Sequence, residues 1–189
     1  MNSSLIFTLP GLYSSGPAHW QTFWEQEQGF TRIEQAEWNT PVCENWINTI
    51  ESKLEQFPLD EVIVVAHSLA CITTVKWYEK FRHRIKGALL VAPSDTEAPS
   101  YPPGTSGFTP LPLTRLPFPS IVVTSSNDYY VTPERAASFA DAWGSQLITV
   151  GPLGHINSES GLGNWPEGLS ILNQLKNQNN GHTTQTGRS

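Results

Sequence analysis

Little in this sequence points to a polyanion, a membrane or a disulfide scaffold. Its 189 residues carry 11 lysines and arginines against 17 acidic residues, for a net charge of −6. The basic residues form no cluster, which disfavours a nucleic-acid backbone or an anionic lipid surface as the main partner. Cysteine is scarce: Cys43 and Cys71 are the only two. No C-x-x-C or Cys/His ligand spacing joins them, so both read as buried, reduced thiols and no metal site is expected. Long hydrophobic runs are missing as well. The apolar stretch of "MNSSLIFTLPG" ends at Pro10-Gly11 and has no basic n-region, which fits neither a signal peptide nor a membrane span. A cytoplasmic protein is the default expectation. No repeat or composition break marks a second domain, so 1–177 reads as a single domain and the polar tail 178–189 as disordered.

What is present is enough apolar content, 38%, to bury a core without metal or disulfide staples. Short runs rich in branched residues recur at 5–9, 32–35, 62–66, 88–92, 121–124 and 147–150, mostly separated by stretches with helical spacing. Strands alternating with helices imply an α/β fold whose mostly parallel sheet is covered on both faces. The strongest helix spans 41–57: Thr40 can cap it, Pro41 suits its first turn, and Val42, Trp46, Ile50, Leu54 and Phe57 line one side. Another should start at Thr132-Pro133 and run to Trp143, before Gly144 stops it. The exception to the alternation is 93–119, dense in Pro, Gly, Ser and Thr. A loop of that length is either a surface excursion or a cover over a site.

The stretch "VIVVAHSLAC" ends the most hydrophobic strand with Ser68, and "LACITTVKWYEKF" then reads as a helix with Leu69, Ile72, Val75, Trp77 and Phe81 inward. Strand, sharp turn and helix are the context of a nucleophile elbow, whose G-x-S-x-G glycines keep strand and helix close. Here both glycines are replaced, by Ala66 and Ala70, the least disruptive substitutes. On that stretch alone Ser68 could equally be a helix cap. A nucleophilic serine needs a base, an acid to orient the base, and amide donors for the oxyanion. Asp128, in "TSSNDYYVTPE", and His155, in "VGPLGHINSES", each follow a separate apolar strand. Ser68, Asp128 and His155 thus appear in the chain order of α/β-hydrolases. His67, beside the serine, and His83, between Arg82 and Arg84, read as structural or solvated. The oxyanion donors should be the backbone N–H of Leu69 and, from "LPGLYSSGPAHW", that of Leu12 beside Gly11.

The segments "LPGLYSSGPAHWQTFWE", "EWNTPVCENWI", "VIVVAHSLAC", "LLVAPSD", "PFPSIVVTSSNDYYV" and "GHINSESGLGNWPEG" resemble the small serine hydrolase family that includes retinoblastoma-binding protein nine and bacterial YdeN-type proteins. The resemblance spans nearly the whole chain and places the family's nucleophile, acid and base on Ser68, Asp128 and His155. It implies a trimmed α/β-hydrolase fold with six strands ordered 2-1-3-4-5-6 and a ligand crevice where the Gly11 loop meets Ser68. The chain departs from the family at Ala70, commonly glycine, and at Glu37 before Trp38, often aspartate. The L-x-C-x-E motif of retinoblastoma binding is absent, since the chain reads "PVCEN" around Cys43, so no such partner is carried over.

These readings converge on a cofactor-free serine hydrolase for a small ester, thioester or amide, with carboxylesterase chemistry as the subtype. Tyr13, Trp20, Tyr129, Trp165 and the loop 93–119 are the candidate substrate-binding walls, and His19 is expected to cap the helix it precedes. A binding module that keeps the scaffold with little turnover is the alternative from another class. Flavin binding on a flavodoxin-like sheet would leave Ser68 and His155 unexplained.

Overall fold

The computed structural model describes residues 4–178, and its sheet has six parallel strands in the order β2-β1-β3-β4-β5-β6. They are β1 (Leu5–Leu9), β2 (Thr31–Arg32), β3 (Val62–His67), β4 (Gly87–Val91), β5 (Ser120–Ser125) and β6 (Gln146–Val150). The central strands β3, β4 and β5 are buried at every position. Their continuous apolar runs reflect helices on both faces, since a strand covered on one side only would alternate. On one face Phe7, Val64, Ala66, Leu90 and Val122 pack beneath α2 (Cys43–Leu54), α3 (Leu69–Phe81) and α4 (Pro133–Trp143). On the other, Ile6, Ile63, Val65, Leu89 and Val123 meet α1 (Trp20–Gln28) and α5 (Pro166–Gln178).

Two boundaries differ from the sequence pattern for a physical reason. Helix α2 starts at Cys43 with Val42 as its N-cap, not at Pro41 with Thr40. Pro41 and Val42 are drawn into an extended bridge instead: Ser106 N–H donates to Pro41 O, and Cys43 N–H donates to Ser106 O. Strand β2, expected at 32–35, is the short edge pair Thr31–Arg32, and the chain turns inward directly afterwards at the buried Ile33. Helix α4 behaves as its sequence reads: the Thr132 hydroxyl accepts Arg135 N–H, Pro133 opens the helix, and Gly144 ends it in the left-handed region. Of the tail expected to be disordered, Gln178 closes α5 and 179–189 lies outside the described residues.

The segment 93–119 forms no helix or strand beyond the Val42–Ser106 bridge. It is nevertheless fastened down. Phe108, Leu111, Leu116 and Phe118 are buried in the core of the α2–α3–α4 face, the Trp143 indole donates to Pro112 O at 2.7 Å, and Leu116 N–H donates to Trp143 O. Both cysteines are buried free thiols. Among the described residues no helix is long and apolar enough to cross a membrane.

Candidate active site

At the C-terminal end of β3 the chain turns into α3 through a single strained residue. Ser68 has φ 58° and ψ −124° and makes no side-chain capping bond to the helix that follows. A non-glycine residue held there costs on the order of 1–3 kcal/mol and persists only where its surroundings impose it. Here Ser68 N–H donates to Val91 O and Cys71 N–H to Ser68 O. Ala66 and Ala70 are both fully enclosed, so a methyl group fits at each position. The capping alternative fails because the hydroxyl points away from the helix, into a hydrogen bond with His155.

The loop after β1 presses against this turn. A Cβ placed on Gly11 would stand 2.7 Å from Ser68 Cβ, 2.8 Å from His67 O and 3.3 Å from Leu69 N, so only glycine lets the two loops meet. Within that loop Tyr13 N–H is taken by Trp38 O and Ser14 N–H by Gly11 O. Leu12 lines the cavity in front of Ser68, and its N–H is the loop's candidate donor, beside that of Leu69. The fully buried Gln21 fixes the base of the loop, its amide donating to Leu9 O and Val65 O across β1 and β3.

Asp128 and His155 leave β5 and β6 on loops that are stitched together. Ser125 Oγ accepts Leu153 N–H at 2.9 Å and Asn127 Oδ1 accepts Gly154 N–H at 2.8 Å. The result is a continuous chain: His155 Nδ1 lies 2.8 and 3.0 Å from the Asp128 carboxylate oxygens, and His155 Nε2 lies 2.8 Å from Ser68 Oγ. Because a carboxylate only accepts, Nδ1 carries the proton and Nε2 is the bare acceptor for the serine hydroxyl. From behind, the backbone of His155–Ile156 is held by two donors: His67 Nε2–H to His155 O at 3.0 Å and the Trp20 indole to Ile156 O at 2.8 Å.

Around this chain the imidazoles are kept uncharged. His67 is held well below the ordinary histidine value by burial, then by the nearby His19 and His155. His19 is lowered to about 3 by burial, with Arg32 and His155 adding to it. Its Nδ1 accepts Gln21 N–H as the cap of α1, as the sequence implied. Of the two histidines read as structural or solvated, His67 is buried and also lines the cavity in front of Ser68, and His83 lies beside Glu51 near the surface.

The cavity in front of Ser68 has a volume of about 280 Å³ and is lined by Leu12, Tyr13, His19, His67, Ser94, Tyr101, Pro102, Tyr130, His155, Asn157 and neighbours. Of the expected substrate walls only Tyr13 and the loop 93–119, through Tyr101 and Pro102, reach it. Trp20 and Trp165 are buried in the α1–α5 core, their rings 5.1 Å apart, so Trp20 supports the His155 loop from behind. Tyr129 faces outward at 54% exposure and lines a separate depression with Leu153 and Glu159. Its neighbour Tyr130 turns inward, its ring 4.6 Å from that of His155, and its N–H donates to Asp128 Oδ1. The sequence reading missed Tyr130, Tyr101 and Ser94. Asp128 announced the turn that fixes the Tyr130 backbone, but nothing local said which of the two adjacent tyrosines faces in.

A family model described as serine hydrolase matches residues 6–174. Among solved structures, the chain is similar to a YdeN-like hydrolase from Pectobacterium atrosepticum, at 29% identity and TM-score 0.81 over 94% of this chain and 92% of that one. It is also similar to the ydeN gene product of Bacillus subtilis, at 16% identity and TM-score 0.70 over 93% and 100%. A third is the carboxylesterase CesB of Bacillus subtilis, at 13% identity and TM-score 0.61 over 91% and 82%. The last two likenesses are of fold alone. No curated protein matches the sequence.

Proposed function

This chain belongs to the serine hydrolase family, and on that premise we propose that it is a carboxylesterase-type enzyme acting on a small, uncharged ester, thioester or amide. One observation carries the reading: an unbroken hydrogen-bonded chain from the Asp128 carboxylate through His155 to Ser68 Oγ, opening into a cavity with no Lys, Arg, Asp or Glu in its lining among the described residues. Ser68 Oγ attacks the acyl carbon while its proton passes to His155 Nε2, and Asp128 holds the imidazolium that forms. The carbonyl oxygen becomes an oxyanion, for which the N–H groups of Leu69 and Leu12 are the donors. His155 then gives its proton to the leaving group. Water repeats the sequence on the acyl-enzyme, returning Ser68 to its starting state.

The cavity volume favours a short acyl group, and Tyr13, Tyr101 and Tyr130 offer it aromatic walls. The absence of a cationic side chain from the lining disfavours a carboxylate or phosphate on the substrate. The same reading places the protein in the cytoplasm, with its two buried thiols as support. The test is intact-mass detection of a fluorophosphonate adduct. One adduct is expected on the wild type, none on Ser68→Ala, and a rate lower by about 10³-fold or more on His155→Ala. A folded wild type that stays unmodified by this reagent and by a smaller phosphonylating one would favour the binding module instead.

A further inference from the structure

Ser94 lies just beyond β4 in "VAPSD", fully buried, with its Oγ 2.7 Å from Ser68 Oγ. Two hydroxyls at that distance share one proton between them, and the rest of the site decides whose. In a neutral imidazole one ring nitrogen carries the hydrogen, and for His155 that is Nδ1, which faces the acceptor-only Asp128 carboxylate, so Nε2 is bare and accepts the Ser68 hydroxyl. Ser68 then has no hydrogen left to give Ser94. The Ser94 hydroxyl is therefore the donor, and Ser68 Oγ the acceptor. We infer that Ser94 is a further catalytic residue, whose O–H stabilises the negative charge that develops on Ser68 Oγ in both halves of the reaction.

In acylation the Ser68 proton moves to His155 Nε2, the Oγ–acyl bond forms and the carbonyl electron pair moves onto oxygen. Ser94 keeps its own proton and donates to Oγ as the charge grows. In the acyl-enzyme Oγ is an ester oxygen, a poorer acceptor, and the Ser94 bond weakens. In deacylation water adds to the acyl carbon with its proton going to His155. The acyl–Oγ bond then breaks, and Oγ departs with rising negative charge before recovering a proton from His155. Ser94 donates to it again. A donor aimed at a charged oxygen from a water-poor wall is worth more than one in solvent.

The position of Ser94 is over-determined. Ala92, two residues earlier, has φ 49° and its N–H donates to Val123 O, while the N–H of the next residue, Asp95, donates to Tyr130 O. The Tyr101 hydroxyl lies beside Ser94 at the margin of hydrogen-bonding geometry, and burial raises the Tyr101 phenol above its ordinary value although the Ser94 contact partly offsets it. A phenol that keeps its proton can donate to Ser94 Oγ and leave the Ser94 hydrogen for Ser68 Oγ, the close hydroxyl partner of Ser94 among the described residues.

This inference rests on the proposed acyl-enzyme chemistry, and the experiment separates the two. Adduct formation with a fluorophosphonate is timed alongside burst and steady-state hydrolysis of p-nitrophenyl acetate, for the wild type, Ser94→Ala and Ser94→Thr. We expect Ser94→Ala to slow the adduct, the burst and the steady state by roughly 10- to 100-fold, the range for losing a hydrogen bond to a charged group. Ser94→Thr, which keeps the hydroxyl, should recover most of that loss. Unchanged rates in folded Ser94→Ala overturn the inference, as does a rise in KM with kcat intact. Should Ser94→Ala fail to fold, Ser94→Cys carries the same test with a much weaker donor of similar size. An inert wild type would overturn the acyl-enzyme reading and this inference with it.

Discussion

Around Ser68 the backbone does the holding, and along 93–119 the side chains do. The turn between β3 and α3 is fixed by a positive φ, by the Ser68 N–H bond to Val91 O, and by a glycine across the way with no room for a methyl group. The segment 93–119 has almost no regular backbone pairing. It is pinned by Phe108, Leu111, Leu116 and Phe118, by the Trp143 indole, and by Arg135 reaching Asp95 and Glu97. Both border the same cavity. The first region sets where the reacting atoms sit and tolerates almost no change. Past Ser94, whose hydroxyl touches Ser68, the second sets the shape in front of them and can be altered in steps.

That contrast can be broken first at the donor loop. Leu12→Pro removes one backbone N–H and should lower kcat by ~10²–10³, whereas Leu12→Ala should stay within a few-fold. Equal effects in esterase assays of the two folded variants would take Leu12 out of the oxyanion hole. Acid is the next lever, because the buried neutral imidazoles His19 and His67 both lie on the turn side. An unfolded histidine takes up a proton below about 6.5, while folded His19 stays neutral down to about 3 and folded His67 is held well below its ordinary value. The unfolded state therefore binds more protons as pH falls below 6.5, and stability should drop by up to about 1.4 kcal/mol per pH unit for each histidine. Urea melts at pH 7.5 and 5.5 would read this. His19→Asn, which keeps a cap acceptor for α1, should remove about half of the slope.

Gly11→Ala comes third. Its Cβ would meet Ser68 Cβ and His67 O, and we expect activity to fall by about 10²-fold with a stability loss of about 1–3 kcal/mol. On the other side of the comparison, Trp143→Phe strands Pro112 O and should cost about 1–3 kcal/mol in a melt, raising KM several-fold with kcat nearly unchanged. The smallest effect is expected from Arg135→Ala, at most about 1 kcal/mol and fading with added salt, since its ion pairs are part-exposed. A large kcat loss in either of these last two variants would mean that the segment beyond Ser94 also sets the chemistry.

The same contrast explains what could be read from the sequence. Ser68 and Asp128 follow buried strands and His155 follows the edge strand β6, and a parallel sheet delivers strand ends to one edge, so local pattern was enough to bring them together. Helix α4 carried its own start and stop in Thr132, Pro133 and Gly144. Thr40 and Pro41 misled because their alternative partner, Ser106, lies far along the chain. Trp20 and Trp165 were read as walls from their place near site loops, but their burial depends on helices packing against a distant strand face. Ser94 and Tyr101 were marked only as members of "LLVAPSD" and of the loop 93–119, and not as individual residues. They sit in a segment without periodicity, where position is decided by anchors such as Phe108 and Trp143 and not by local spacing.

The two alanines beside Ser68 bear on how such a turn is recognised in a sequence. The turn asks its neighbours for smallness, and glycine is one way of being small; Ala66 and Ala70 sit at full burial in a turn that still holds Ser68 at φ 58°. A search pattern written with glycine at both positions would pass over this chain. One written on volume, with an acid and a histidine following later strands, would retrieve it.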